Sequence, residues 1–368
     1  MRTDFIPVDY DYFDFEDKNY IRIFGRNSQG KRICVIDSCP IYFWAILEPG
    51  LDRKKTEALI EKIKKIKLDT KGRKTKVESV ELHKKNFLGK EVDALKIFAT
   101  NYKDLHGIAD KLGMKEIVKR RGYDLGFITH YIIESGIAPL QWYEIDGEVI
   151  DNSGKFGGID QELQVDLCMK LESHKKKDIA VFSPKVLAYD IETDEFKIGE
   201  GEILMVFVVS EGFKKVIRWK TGGEKKPKAD YVEVVKNEKE LLEKFVYYVK
   251  KISPDFLVGY FSDGFDLPYL KARATKLKVH LSLGLDNTQP RFFRGALPTG
   301  KISGIVHVDL MKFIQTAYSQ YMQSETLSLN EVSKEFLGDK KKDFKFKHSS
   351  KIKKEEWDSY FEYNLHDS

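Results

Sequence analysis

The stretch Leu187-Ala-Tyr-Asp190-Ile-Glu192-Thr193 decides how this chain is read. Residues 186–191 form an apolar strand, and on a strand the side chains at i and i+2 share one face. Asp190 and Glu192 therefore project together from the end of that strand. Two carboxylates about 7 Å apart on one face repel each other. A buried sheet does not keep such a pair without a cation to neutralise it. The plainer alternative is a strand end dipping into solvent.

Outward from this stretch, residues 203–209 and 215–219 read as further strands. Residues 238–252 read as a helix with Leu241, Leu242, Phe245 and Val249 on one face. A strand at 256–261 leads to a helix at 268–277, opened by Pro268 where helices accept proline. A strand at 305–310, a helix at 327–337 and an aromatic-rich helix at 355–367 complete an α/β domain, a mixed sheet flanked by helices. The preceding residues, 1–150, read as a β-rich α+β domain. They show a hairpin of 20–24 and 31–36 around the turn Asn27-Ser-Gln-Gly30, strands at 41–47 and 92–99, and helices at 54–66 and 102–112. Gly154, Gly157, Gly158 and the polar run 173–178 mark loops in between. The expected division is 1–150, a connecting segment 151–184, and 185–368.

Two more acidic clusters follow. In Gly259-Tyr-Phe-Ser-Asp263-Gly264-Phe265-Asp266-Leu-Pro268 a strand runs through a turn into a helix. Asp263 reads as a turn residue. Asp266 reads either as a helix N-cap or as a carboxylate at the sheet edge facing the first pair. In Tyr363-Asn-Leu-His-Asp367 the positions i and i+4 share a helical face. The alternative there is a core-side aromatic beside a surface acid. Each cluster is ambiguous by itself. Their order and spacing together supply four carboxylates and a tyrosine, the inventory for two hard divalent cations such as Mg²⁺ or Mn²⁺.

The net charge of +5 is compatible with a polyanionic partner. Lysines cluster in 61–76 and 340–354, each run reading as a solvated face or as a phosphate contact. No apolar run approaches the roughly 18–20 residues of a membrane span. The acidic, aromatic opening MRTDFIPVDYDYFDFEDK is unlike a signal peptide. The expectation is a soluble, cytoplasmic protein without a membrane partner. Cys34 and Cys39 have no second pair at metal spacing and, with Cys168, read as isolated thiols.

Taken together, the sequence resembles a family B DNA polymerase of the archaeal type. Its three exonuclease motifs correspond to Asp190-Ile-Glu192-Thr193, to Gly264-Phe265-Asp266-Leu-Pro-Tyr-Leu, and to Tyr363 with Asp367. Ile305-Val-His-Val-Asp309-Leu310 and residues 327–337 sit where the family has a strand and helix before its third motif. Asn86-Phe-Leu-Gly89-Lys90 and Gly122-Tyr-Asp-Leu-Gly-Phe127-Ile-Thr-His-Tyr131 resemble its N-terminal domain. The resemblance implies a ribonuclease H-like fold for the second domain and a DEDDy 3′→5′ exonuclease using two divalent cations. It implies that Asp190 bridges both metals and that Glu192 and Asp367 help hold the one carrying the attacking water. Asp266 would act mainly on the other metal, and Tyr363 would orient the water. Thr193, Phe261 and Phe265 would contact the substrate, the frayed single-stranded 3′ end of a primer-template, during proofreading.

The family usually has an Asn where Phe261 or Ser262 stands here. The sequence ends at Ser368, so palm, fingers and thumb are expected to be missing and this chain alone is not expected to synthesise DNA. It reads as a truncated piece or as one subunit of a split enzyme, with a second polypeptide and a sliding clamp among the implied partners. Archaeal relatives also carry a uracil-detecting pocket, matching Tyr10, Pro40, Ala94 and His130. Ala94 stands where a larger aliphatic is usual, and His130 where an Arg is usual. Ordinary packing is the other reading of those four. The rival functions are an exoribonuclease and a non-catalytic DNA-binding part with a weakened nuclease.

Overall fold

The computed structural model describes residues 1–151, 154–178, 181–219, 229–293 and 298–338. They fall into two units, Met1–Gln161 with Val165–Ile179, and Glu162–Gln164 with Ala180–Ser368. The final helix expected at 355–367, with Tyr363 and Asp367, and the basic run 340–354 lie outside the described residues.

The first unit holds β1 (Arg2–Phe15), β2 (Lys18–Arg26), β3 (Arg32–Asp37), β4 (Tyr42–Leu47), α1 (Arg53–Lys64), β5 (Lys67–Thr70), β6 (Arg73–Phe87), β7 (Lys90–Ala99), α2 (Leu105–Asp110), β8 (Ile117–Arg121), α3 (Phe127–Ser135), β9 (Tyr143–Val149), most of a short helix α4 (Ile159–Glu162), and β10 (Leu167–Lys176). Strands β1-β2-β3-β10-β9 close a barrel, and β5-β6-β7-β4-β8 form a second sheet. The β2–β3 hairpin turns where the sequence places it. Asn27 Oδ1 accepts the N–H groups of Gln29 at 3.1 Å and Lys31 at 2.9 Å, which is how an Asn side chain stabilises a tight turn. Helices α1 and α2 cover one face of the second sheet, through Leu59, Ile63 and Ile108 against Phe43, Leu95 and Ile97.

Two departures from the sequence reading stand out in this unit. The opening residues form the long strand β1. Its signal is the acid–aromatic alternation of residues 9–12, which has period two until Phe13 breaks it, and the buried ion pair Arg22–Asp11 at 3.0 Å neutralises one of the acids that turn inward. The polar run from Ser173, read as a loop, continues β10 as far as Lys176, which pairs with Tyr143. Leu167–Lys170 also pair with β3, so this part of the expected connecting segment is barrel wall. Backbone pairing holds these polar residues in a strand that their composition does not announce.

The second unit holds β11 (Val186–Thr193), β12 (Ile203–Ser210), β13 (Phe213–Arg218), β14 (Val232–Val234), α5 (Glu238–Ile252), β15 (Phe256–Gly259), α6 (Asp266–Lys276), β16 (Arg291–Phe293), β17 (Thr299–Lys301), β18 (Val306–Asp309), α7 (Leu310–Ala317) and α8 (Leu329–Leu337). The sheet order β14-β13-β12-β11-β15-β18 is mixed. β11 pairs antiparallel with β12 and parallel with β15, and β15 pairs parallel with β18. Asn237 caps α5 through the Glu240 N–H, and Leu241, Leu242, Phe245 and Val249 are all buried, as the helical spacing predicts. The strand expected to run to Leu310 stops at Asp309, whose carboxylate caps the unanticipated helix α7 through the Lys312 N–H at 3.3 Å.

Glu238, at the start of α5, is buried with Arg273 of α6. Arg273 Nε donates to Glu238 Oε1 at 2.7 Å, with a second, shorter bond from Nη2 to Oε2. Glu238 Oε1 also accepts the Ile203 N–H at 2.9 Å, so one carboxylate joins two helices and β12. Arg273→Ala leaves that carboxylate buried and unpaired, and is expected to cost about 3–5 kcal/mol in urea unfolding. A loss below about 1 kcal/mol would show that the pair does not hold these helices.

Candidate active site

Strands β11, β15 and β18 run parallel, so their carboxyl ends lie on one side of the sheet. In open α/β sheets, that edge is where ligands bind. Acids gather there: Asp190 and Glu192 from β11, Asp263 from the turn after β15, Asp266 from the first turn of α6, and Asp309 from β18. Along β11, Leu187, Tyr189 and Ile191 are buried, and Tyr189 meets Phe245 of α5 with ring centroids 5.7 Å apart. Ala188, Asp190 and Glu192 take the other face, all half-buried. The ladder shifts register between Glu192 and Thr193, a bulge of the kind that re-aims side chains beside sites. Thr193 Oγ1 donates to the Glu195 carbonyl at 2.9 Å.

Asp266 lies one residue inside α6, whose cap position is Phe265, so its side chain is not the helix cap. It is buried, and its Oδ1 accepts the Ile191 N–H at 3.2 Å. Burial first, and then the Asp190 carboxylate alongside, push the Asp266 carboxyl well above the usual carboxylate range. Asp190 and Asp266, 76 positions apart by number, are thus brought together as like charges in a poorly hydrated place. Phe265 packs on Tyr269, ring centroids 5.3 Å apart.

The turn that carries Asp266 is held from beneath by a polar network. Asp309 Oδ1 accepts the Phe261 N–H and Asp309 Oδ2 accepts the Asp263 N–H, both at 3.0 Å. Asp263, read from sequence as a turn residue, is buried in this network and does more than turn the chain. Its Oδ1 accepts the Gly300 N–H at 2.7 Å and lies 3.2 Å from His307 Nδ1, while Lys312 Nζ donates to its Oδ2 at 3.2 Å. Burial raises the Asp263 carboxyl, but His307, the Gly300 N–H and Lys312 outweigh it and leave the group below the ordinary range. His307 Nε2 lies 3.1 Å from both Tyr189 Oη and Ser262 Oγ, which ties β18 to β11 and to the turn. His307, Asp309 and Lys312 were not singled out as site residues in the sequence. The alternation of His307 and Asp309 with apolar residues in β18 was the available signal.

Phe261 is half exposed and has φ +58°. Aromatic residues rarely adopt this left-handed conformation, whereas Asn adopts it with little strain. The Phe261 ring lies against Gly264, where an added Cβ would stand 2.5 Å from two ring atoms. A side chain at Gly264 would therefore have to displace the outer end of the Phe261 ring. Of the four residues matched to a base-sensing pocket, Tyr10, Ala94 and His130 are buried and Pro40 is exposed. Tyr10 Oη donates to the Ile137 carbonyl at 3.0 Å, and His130 Nε2 lies 2.9 Å from the Pro40 carbonyl. Among the described residues, no three His, Cys, Asp or Glu side chains form a group that could hold a metal ion. Tyr363 and Asp367 lie outside the described residues.

Fold and site together define an α/β protein with an acidic site at the carboxyl edge of a mixed sheet. Residues 118–332, more than half of the chain, match the family described as DNA polymerase family B, exonuclease domain, and the chain belongs to that family. It is 30% identical over 315 residues to the DNA polymerase of Pyrococcus glycovorans, covering 84% of this chain and 34% of that polymerase. It is equally 30% identical over 315 residues to the DNA polymerase of Thermococcus kodakarensis, with 84% of this chain and 16% of the relative covered. The chain therefore spans a minor part of the length of the curated relatives it matches. The family B DNA polymerase from the hyperthermophilic archaeon Pyrobaculum calidifontis shares its fold, with a TM-score of 0.75 at 22% identity, over 100% of this chain and 44% of that one. No helix among the described residues is long and apolar enough to cross a membrane.

Asp309→Ala removes the acceptor for a buried N–H and is expected to cost roughly 1–3 kcal/mol in urea unfolding. Asp309→Asn keeps one acceptor oxygen and should cost less. Equal stability of wild type and the Ala variant would mean that the turn does not depend on this carboxylate.

Proposed function

We propose that this chain carries the 3′→5′ exonuclease step of a family B DNA polymerase, hydrolysing phosphodiesters at a single-stranded DNA 3′ end to remove mispaired nucleotides. The observation that carries this reading is the contact between Asp190 and Asp266 at the carboxyl edge of the sheet, within a chain of the family's exonuclease domain. A ribonuclease H-like description of the second unit is consistent with its mixed sheet.

The donor chemistry suits hard divalent cations. Paired carboxylates whose proximity raises their proton affinity gain most from a doubly charged partner, and oxygen ligands are what Mg²⁺ and Mn²⁺ take. Asp190, Glu192 and Asp266, with Asp367 from the third motif, would hold them. Bound there, such ions supply activation of water and stabilisation of the departing 3′ oxygen. The chain's own contribution is positional. Asp309 and Asp263 fix the turn that presents Asp266, and the Ile191 N–H fixes the orientation of its carboxylate. Phe261, exposed over Gly264, offers an aromatic face to the terminal base, and Thr193 and Phe265 stand close by in sequence to the acids. Tyr363 enters this reading from the family's third motif as the group that orients the water. Mispaired ends fray at lower cost, which gives the reaction its selectivity.

Incubation with a 5′-labelled mismatched primer and Mg²⁺ or Mn²⁺ tests the proposal. Shortening from the 3′ end is expected, and Asp190→Ala or Asp266→Ala should each slow it at least ~100-fold. Binding without shortening under any metal would replace this reading with a non-catalytic DNA-binding part. Faster attack on RNA would point to an exoribonuclease, since the 2′-OH tells the two apart.

Phe261→Ala tests the stacking role. Removing one aromatic face from beneath a base should raise KM roughly 5- to 100-fold while kcat stays within about threefold. An unchanged KM would exclude Phe261 from substrate binding.

A further inference from the structure

We infer that His307 is a positioning residue for the nuclease site: its ring joins the strand that carries Asp190 to the turn that presents Asp266, and so sets the gap between the two carboxylates. The inference deepens the nuclease reading above and rests on it for the use of that gap. His307 acts through its contacts with Tyr189, Ser262 and Asp263.

The reach of the ring follows from strand order and register. β18 ends the described sheet, and β15 separates it from β11. His307 stands directly opposite Leu257 of β15, and Leu257 directly opposite Leu187 of β11, so the three share one face. Tyr189 lies two residues beyond Leu187, and Gly259 two beyond Leu257, on that same face. A side chain at Gly259 would block the path between them. An added Cβ there would lie 2.6 Å from Ser262 Cβ and 3.3 Å from Tyr189 Cε1. Glycine leaves the space through which Tyr189 Oη and Ser262 Oγ reach His307 Nε2, both at 3.1 Å.

The ring has polar partners on both sides. Its side chain is 0% exposed, so bulk water does not compete for its nitrogens. Nδ1 faces Asp263 Oδ1 at 3.2 Å. A carboxylate only accepts, which assigns the ring proton to Nδ1 and leaves the Nε2 lone pair for the Tyr189 and Ser262 hydroxyls to share.

Each partner is one short step from the acidic pair. Tyr189 precedes Asp190. Packed on Phe245 and held at its hydroxyl by His307, it fixes the backbone from which Asp190 projects to the opposite face. Ser262 and Asp263 belong to the turn before Asp266. The Leu267 N–H donates to the Ser262 carbonyl at 3.0 Å, which carries the constraint into the first turn of α6. When both are ionised, Asp190 and Asp266 push apart, and a strut between their supports opposes that. A cation of Mg²⁺ size tolerates little error in ligand distance. Polar groups one contact removed from metal ligands change affinity or activity 10- to 100-fold when lost.

Two readouts on the full chain test the strut. Electron paramagnetic resonance of free Mn²⁺ measures cation uptake without DNA, and the mismatched-primer assay gives kcat and KM. His307→Leu is expected to weaken Mn²⁺ uptake and to lower kcat, each roughly 10- to 100-fold, with KM for the primer within about threefold. His307→Gln, which can place an amide near the Nε2 position, should recover most of both. Tyr189→Phe removes one hydroxyl and keeps the ring packing, so it stays readable if the His307 variants fold poorly. It should weaken uptake in the wild-type background and add nothing in His307→Leu. A wild-type chain that binds Mn²⁺ yet shortens no primer would remove the nuclease reading, and the uptake shift alone would then judge the strut. Loss in His307→Gln equal to that in His307→Leu would show that the ring only fills space, and would overturn the inference. Uptake and kcat left at wild-type levels in His307→Leu and Tyr189→Phe would overturn it too, with the nuclease reading intact.

Discussion

Two carboxylates that repel one another are held in contact where water is scarce, and the second unit is arranged around keeping them there. Asp190 comes from a central strand and Asp266 from the first turn of a helix, so neither position can relax without moving a whole element. Burial and mutual repulsion together make Asp266 retain a proton far more readily than a free aspartate. A folded chain tolerates such a pair only where other interactions outweigh it. Here they include the Arg273–Glu238 pair, which joins α6 to α5, and the Asp309 carboxylate, which grips the backbone ahead of α6. The site is thus held by neighbours that are well satisfied.

The lower network has the same logic at one remove. Asp263 and Asp309 are acids near the acidic pair, yet each is spent on fixed donors: backbone N–H groups, Lys312 and the His307 ring. The contacts of Asp263 favour its ionised form, in contrast to Asp266. The same residue type therefore serves opposite ends within one turn, and environment alone separates them. Phe261 adds a third element, an aromatic ring kept at a backbone conformation that favours smaller or amide side chains. Gly264 makes room for it.

Much of the second unit was legible in the sequence because its signals are local. The apolar strand ending in Asp190 and Glu192 alternates with period two, and Glu238–Ile252 buries the stripe its spacing defines. Less was legible where partners decide the structure. Polar residues of β10 form a strand because β3 and β9 pair with them, and β1 keeps inward acids because Arg22 meets one of them. Helix α7 was hidden because the strand before it and the helix share Asp309, which closes one and caps the other.

The sequence by itself determined which residues could act: its order of acidic clusters and its likeness to family B polymerases named Asp190, Glu192 and Asp266 before any coordinate. Local periodicity carries that kind of information, since side-chain direction in a strand or helix follows from spacing alone. Tertiary structure decided what those residues experience. Only the parallel pairing of β11, β15 and β18 brings positions 190, 266 and 309 to one edge, and burial there beside Asp190 makes Asp266 resist ionisation. The roles of Asp263 and His307 were likewise set by contacts between distant segments, because a hydrogen-bond partner many residues away leaves no mark in local spacing.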